Sequence, residues 1–207
     1  MRIYHATVAG EGTRIGVDEW NEQHVISDLD DYINRFGCYP ARRGTGTVTE
    51  KTGEYTLNLT YTPMGSWRRL GVRLKLQLTS TDSNPVTVKF RVNGDTTTSR
   101  YTGDALKWDS SGSGVISIAS DGFNLLEAPP LGSGVERSMW FVNLECWVRG
   151  EVFSMKGEAS SAYPSTVNRS LLGAYVKATD FTAEPGLSLV FPDNSYLEVC
   201  EWEVFCD

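Results

Sequence analysis

From residue 38 onward, apolar residues recur at every second position, and this spacing constrains the fold more than any other feature. In 70–78 every even-numbered residue is Leu or Val, whereas the odd-numbered positions hold Gly, Arg, Lys and Gln. Successive side chains of a β-strand point to opposite faces, so this pattern predicts a strand with one buried face. Similar alternation at 55–61 and 86–92 predicts further strands of the same kind.

Turn signals separate these stretches. Asn93-Gly94 tolerates positive φ at both positions, which predicts a tight turn that returns 86–92 as a hairpin through 96–101. Asp121-Gly122 predicts a second turn, and Pro192-Asp193-Asn194 predicts a third.

The rest of the chain fits the same class. Residues 139–148 are apolar at both odd and even positions, which predicts a central strand buried on both faces. Strands are also expected at 115–119, 123–126, 152–155, 171–177, 187–191 and 196–205. The polar stretches 102–114 and 157–170 are expected to be long loops. Together, these strands and turns predict an all-β, jelly-roll-like two-sheet sandwich. Its expected core includes Leu74, Leu76, Val88, Phe90, Leu144 and Val176.

The first 37 residues differ from the remainder. Between residues 17 and 36, apolar residues that include Trp20, Val25, Leu29 and Ile33 follow a helical spacing, and Gly37 ends the segment. We therefore expect an extended and helical N-terminal segment, 1–37, followed by a sandwich domain, 38–207. A helix this short is unstable alone and needs a surface to pack against, either its own sandwich or a partner.

Composition excludes several classes of function. The net charge of −7 disfavours nucleic acid, because binding it requires Lys and Arg to neutralise phosphates. Residues 1–16 lack the apolar run of a signal peptide, and no stretch is long and apolar enough for a transmembrane helix. The four Cys residues lack CxxC spacing, and we expect them to be reduced thiols.

No pattern indicates catalysis, so we expect no enzyme activity, no cofactor and no metal. His5 and His24 are the only histidines, and neither stands in a triad motif or at ligand spacing. Glu201 and Glu203 share a strand face, but two exposed surface acids explain them better than a glycosidase pair. Four aromatic residues in or beside the expected loops are candidates for facing a ligand, although they could equally close the sandwich or meet another subunit: Tyr101, Trp108, Tyr163 and Tyr175.

Three segments carry a resemblance. Trp20-Asn21-Glu22-Gln23-His24-Val25 resembles the Trp-Asn-x-x-His-Val segment near the N-terminus of many phage tail and structural proteins. Phe90–Asp95, followed by Tyr101, is similar to the hairpin of phage jelly-roll modules, and 191–199 is similar to their closing strand.

The resemblance implies a non-enzymatic bacteriophage virion protein, made in the host cytoplasm and carried on the particle. It implies a surface appendage, which is either a tail fibre or receptor-binding tip, or a head fibre or capsid decoration. Such appendages are usually homotrimers, and this one could bind a host surface glycan. The N-terminal segment would then attach it to other virion proteins through Trp20, Asn21, His24, Val25, Leu29 and Ile33. A carbohydrate-binding module, and less favourably a glycan hydrolase, remain as alternatives.

Overall fold

The computed structural model describes residues 3–5, 24–26, 41–62, 69–109, 112–130, 137–149, 151–162, 167–177 and 185–206. The chain divides into two compact units, residues 1–41 with Asp207, and residues 42–206. The predicted boundary between 37 and 38 stays a prediction.

The first unit contains two short strands, β1 (Ile3–His5) and β2 (His24–Ile26), which pair antiparallel with His5 opposite His24. The helix expected over 17–36 is therefore wrong at 24–26, and the remainder of that prediction lies outside the described residues. Val25 and Ile26 are β-branched and lose side-chain freedom in a helix, whereas pairing with β1 gives their backbone strand hydrogen bonds.

The second unit is a sandwich of two antiparallel sheets, which confirms the all-β, two-sheet part of the prediction. The strands of the larger sheet, numbered in chain order, are β3 (Ala41–Thr52), β5 (Leu70–Ser80), β7 (Tyr101–Asp109), β8 (Gly112–Ser117), β10 (Ser138–Arg149), β11 (Val152–Ala162), β12 (Val167–Lys177) and β14 (Ser195–Cys206). They lie in the order β3-β14-β5-β10-β11-β12-β7-β8. The smaller sheet contains β4 (Tyr55–Asn58), β6 (Val86–Val92), β9 (Phe123–Ala128) and β13 (Leu187–Phe191), in the order β4-β13-β6-β9.

The core lies between the inner faces of the two sheets. All six predicted core residues are buried, none more than 3% exposed. The rings of Phe90 in β6 and Phe153 in β11 meet across the interior with centroids 6.5 Å apart. The period-two pattern therefore identified the buried face correctly.

The predicted turns are present, but they join different sheets. Asn93 and Gly94 have φ values of 54° and 64°, and the Asp95 N–H donates to the Val92 carbonyl at 3.1 Å. The expected return strand over 96–101 is wrong: a 3-10 turn, Thr98–Arg100, leads into β7 of the larger sheet. The predicted third turn likewise joins β13 to β14, which belong to different sheets. Alternation predicts a strand but does not say which neighbour it pairs with.

Both expected loops are largely strands. Residues 102–114 fall mostly in β7 and β8, and 157–170 fall mostly in β11 and β12. The prediction took their polar residues as a sign of loops. The outer face of the larger sheet is in contact with solvent, so its strands can carry polar side chains on that face.

Candidate functional site

On the outer face of the larger sheet, residues that are far apart in the sequence lie side by side in rows across the strands. In one row, Glu203 of β14 lies opposite Arg73, which lies opposite Asn143, which in turn lies opposite Glu158. In the adjacent row, Glu201, Lys75, Phe141 and Ser160 are aligned in the same way. Because alternate residues face the core, these eight side chains share the outer face.

A groove with a volume of about 650 Å³ runs across this face over five neighbouring strands, from β3 to β11. Ten outward side chains line it: Thr45, Thr47, Arg73, Lys75, Phe141, Asn143, Glu158, Ser160, Glu201 and Glu203. Beneath it, Gly46 faces inward, and a Cβ atom there would lie 2.5 Å from the ring of Trp202. The missing side chain lets Trp202 pack under β3.

Ion pairs neutralise most of the charge in the groove. Lys75 Nζ lies 3.3 Å from Glu201 Oε2, and Arg73 Nη1 lies 3.6 Å from Glu203 Oε2. The Arg73 guanidinium also lies 4.6 Å from the centre of the Phe205 ring. Glu158 is the fifth charged residue of the lining, so the groove carries a formal charge of about −1. Such a surface suits a neutral polar ligand better than a polyanion.

Phe141 is the exposed apolar group of the groove, contrary to the prediction of a strand buried on both faces. β10 is central as predicted, but Phe141 is 46% exposed, so the strand is not buried on both faces. The signal was present in the sequence: Asn143 and Glu145 follow Phe141 at alternate positions and mark its face as polar. The exposed ring gives the groove a flat apolar surface beside its polar side chains.

Polar side chains surround Phe141. Asn143 and Ser160 make no side-chain hydrogen bond to another described residue. Both can donate and accept, and Thr45 and Thr47 offer further hydroxyl groups on β3. The groove therefore combines one apolar platform with several neutral hydrogen-bonding groups.

The predicted ligand-facing aromatics do not form one site. Tyr101 is a correction: it is 4% exposed, its hydroxyl donates to the Asp95 carbonyl at 2.7 Å, and its ring packs edge-on against Phe123. Tyr175 is 45% exposed on the outer face but lies outside the groove, and Trp108 is half-buried on β7. Tyr163 lies outside the described residues.

Of the predicted attachment residues, the structure describes only His24 and Val25, both in β2. Trp20, Asn21, Leu29 and Ile33 lie outside the described residues, so their role stays a prediction.

The two described free thiols, Cys146 and Cys200, are buried, as expected for core cysteines. Burial raises the pKa of both, that of Cys200 to about 12, so each is a neutral thiol near pH 7. In the described residues, no helix has the length and apolarity required to span a bilayer.

Neither family models nor curated protein sequences gave a match to the chain. Among solved structures, the binding domain of botulinum neurotoxin DC, in complex with SialylT, is 10% identical with a TM-score of 0.26, over 78% of this chain and 43% of the toxin chain. A legume lectin-like domain from Entamoeba histolytica is 8% identical with a TM-score of 0.21, over 79% of this chain and 87% of the lectin-like chain. The VP2 subviral particle of infectious bursal disease virus is 12% identical with a TM-score of 0.14, over 81% of this chain and 41% of the VP2 chain. The chain thus spans less than half of the toxin and capsid chains, and similarities of this size carry no functional argument.

Proposed function

We propose that this chain is a non-enzymatic binding module whose groove on the outer face of the larger sheet takes a neutral glycan. The observation that carries the proposal is Phe141, an exposed ring in a groove whose other side chains are hydroxyl, amide and paired charged groups.

The chemistry of a sugar matches this lining. A pyranose ring has an apolar face of C–H groups and a rim of hydroxyl groups, so it needs an apolar platform with donors and acceptors around it. Phe141 supplies the platform, while Asn143, Ser160 and the two threonines supply hydrogen bonds. A groove open across five strands also accommodates an extended chain of sugars better than a single compact ligand.

The setting we propose is the bacteriophage particle. The segments resembling phage virion proteins, at 20–25, 90–95 and 191–199, support a surface appendage of the jelly-roll class. In this proposal residues 1–37 attach the chain to the virion, the chain forms a homotrimer, and the groove meets a host surface glycan. The crossing of successive strands between the two sheets, from β4 to β7, is compatible with jelly-roll connectivity.

The test is glycan binding with two matched aromatic variants. Purified protein is screened on a glycan array, and the best ligands are titrated by calorimetry. Phe141 is 46% exposed, and covering most of that apolar surface contributes about 1.5–2 kcal/mol, so Phe141→Ala should weaken binding tenfold or more. Tyr175→Ala is the control, since Tyr175 is equally exposed on the same face but lies outside the groove. Absence of any glycan ligand, or equal losses in both variants, would contradict the proposal.

A glycan hydrolase is the second candidate, because Glu201 and Glu203 both line the groove that holds Phe141. Carboxylates two residues apart on a strand are separated by roughly 7 Å, which lies within the range that inverting enzymes use. Each is engaged by a cation, which favours a structural role. Incubation of the protein with its bound glycan should release no reducing ends. Release that Glu201→Gln or Glu203→Gln abolishes would establish the enzyme instead.

A further inference from the structure

The larger sheet ends, in the described part of the chain, at a strand that lacks the usual protection of an edge. All six residues of β8, Gly112–Ser117, are exposed. The strand contains glycine, serine, valine and isoleucine, without a charged residue or a proline. Edge strands normally carry charge, proline or a bulge, because an open row of backbone groups pairs readily with another strand.

The pairing with β7 determines which backbone groups of β8 are open. The Ile118 N–H donates to the Gly103 carbonyl at 3.0 Å, and the same register places Val115 opposite Leu106. In an antiparallel pair, residues alternate between exchanging hydrogen bonds with the partner strand and pointing those groups away from it. The Ile118 N–H and the backbone N–H and C=O groups of Ile116 and Gly114 therefore point toward β7. Ser113, Val115 and Ser117 direct their N–H and C=O groups to the open edge.

A row of apolar side chains on the outer face of the sheet runs to this edge. Leu171 of β12 lies opposite Leu106 of β7, which lies opposite Val115 of β8. The three residues are 41%, 36% and 73% exposed. An apolar row that reaches an open edge without a terminating charge is a surface that another strand can extend.

We propose that β8 pairs antiparallel with β8 of a second copy of this chain, with Val115 opposite the partner's Val115. In this register the open groups of Ser113, Val115 and Ser117 meet those of the partner's Ser117, Val115 and Ser113. Three such pairs exchange about six hydrogen bonds. A shift by one residue would put open groups against groups already bonded to β7, so the backbone itself selects this family of registers.

The chemistry of the edge favours a second copy as the occupant. The chain carries a net charge of −7, so two copies associate only where like charges do not meet, and β8 presents none. Across the twofold axis, Ile116 lies opposite the partner's Gly114, which leaves room for the larger side chain. The row Leu171, Leu106 and Val115 continues into the partner's identical row, and the contact is isologous. The groove of the proposed glycan site involves other strands of the sheet and stays open.

Disulfide trapping tests the register. The variants are built with Cys38 and Cys206 replaced by serine. Directly opposed residues that exchange hydrogen bonds have Cα atoms about 5.5 Å apart, within the span of a disulfide. Val115→Cys should therefore form a covalent dimer on mild oxidation. Ser113→Cys is the matched control, because it lies about 14 Å from its own counterpart in this register. Equal cross-linking of the two variants would overturn the proposal.

Sedimentation equilibrium tests the interface itself. Val115→Lys places two ammonium groups opposite each other at the twofold axis, and Val115 is too exposed for the substitution to unfold the sandwich. The variant should have half the mass of the unsubstituted protein, with unchanged circular dichroism. This means a monomer instead of a dimer, or a single trimer where β8 joins two of the proposed trimers. An unchanged mass would refute the pairing, and this includes the case in which both proteins are monomers. The pairing would also be refuted if the chain did not self-associate and β8 instead paired with a strand of another protein.

Discussion

The turn between β8 and β9 is held to β6 by one carboxylate. Lys89 Nζ lies 2.5 Å from Asp121 Oδ1, Arg91 Nη2 pairs with Asp121 Oδ2, and Arg91 Nε donates to the Asp121 carbonyl at 2.7 Å. Hydrogen bonding from Lys89, opposed by burial and aided by Arg91, lowers the pKa of Asp121 from 3.8 to about 2. Asp121→Asn keeps the shape of the side chain and removes its charge.

The magnitude follows from the pKa. A lowering of just under two pKa units corresponds to roughly 2.4 kcal/mol, which we discount to about 1–2 kcal/mol because the Asp121 side chain is 32% exposed. The pKa is lower in the folded state, so this stabilisation is present above about pH 4 and is lost as the pH falls toward about 2. Asp121→Asn should lower the free energy of unfolding by about 1–2 kcal/mol at pH 7, and the difference from the unsubstituted protein should shrink to a small remainder at pH 2.

Urea unfolding between pH 2 and pH 7 measures this difference. Asp104→Asn is the control, since Asp104 is an exposed aspartate that forms no salt bridge with another described residue. A loss in Asp121→Asn that is the same at pH 2 and pH 7 would show that packing at the turn, rather than charge, is responsible. Equal behaviour of the two variants would refute the reasoning altogether.

Two other substitutions test the core and the attachment segment. Leu76 is fully buried in the middle of the larger sheet, so Leu76→Ala should cost about 2–5 kcal/mol in urea unfolding. Gln77→Ala, on the opposite face of the same strand, should cost far less, and similar losses would mean that the faces are wrongly assigned. Trp20→Ala should weaken incorporation into particles by about 2 kcal/mol or more at an unchanged melting temperature. A lower melting temperature with normal incorporation would contradict the proposed attachment.

The sequence alone predicted the turns of the sandwich and the buried faces of its alternating strands, but it missed the strands within 102–114 and 157–170. Alternation in 70–78 and 86–92 predicted the inward side chains correctly, because the two faces of a strand follow directly from its backbone geometry. The positive φ values of Asn93 and Gly94 were predictable for the same reason, since few residues tolerate them. These properties depend on neighbours along the chain.

The tertiary structure decided which strands became neighbours, and with that the groove and the open edge. Lys75 and Glu201 are separated by 126 positions in the chain yet form an ion pair across β5 and β14. Phe141 joins them in the groove only because β10 pairs with β5 in one register. Pairing and register are settled by packing of the whole inner face, to which every strand contributes, so no local pattern contains them. The sequence therefore predicted an aromatic residue in a strand, and only the sheet made it part of the groove.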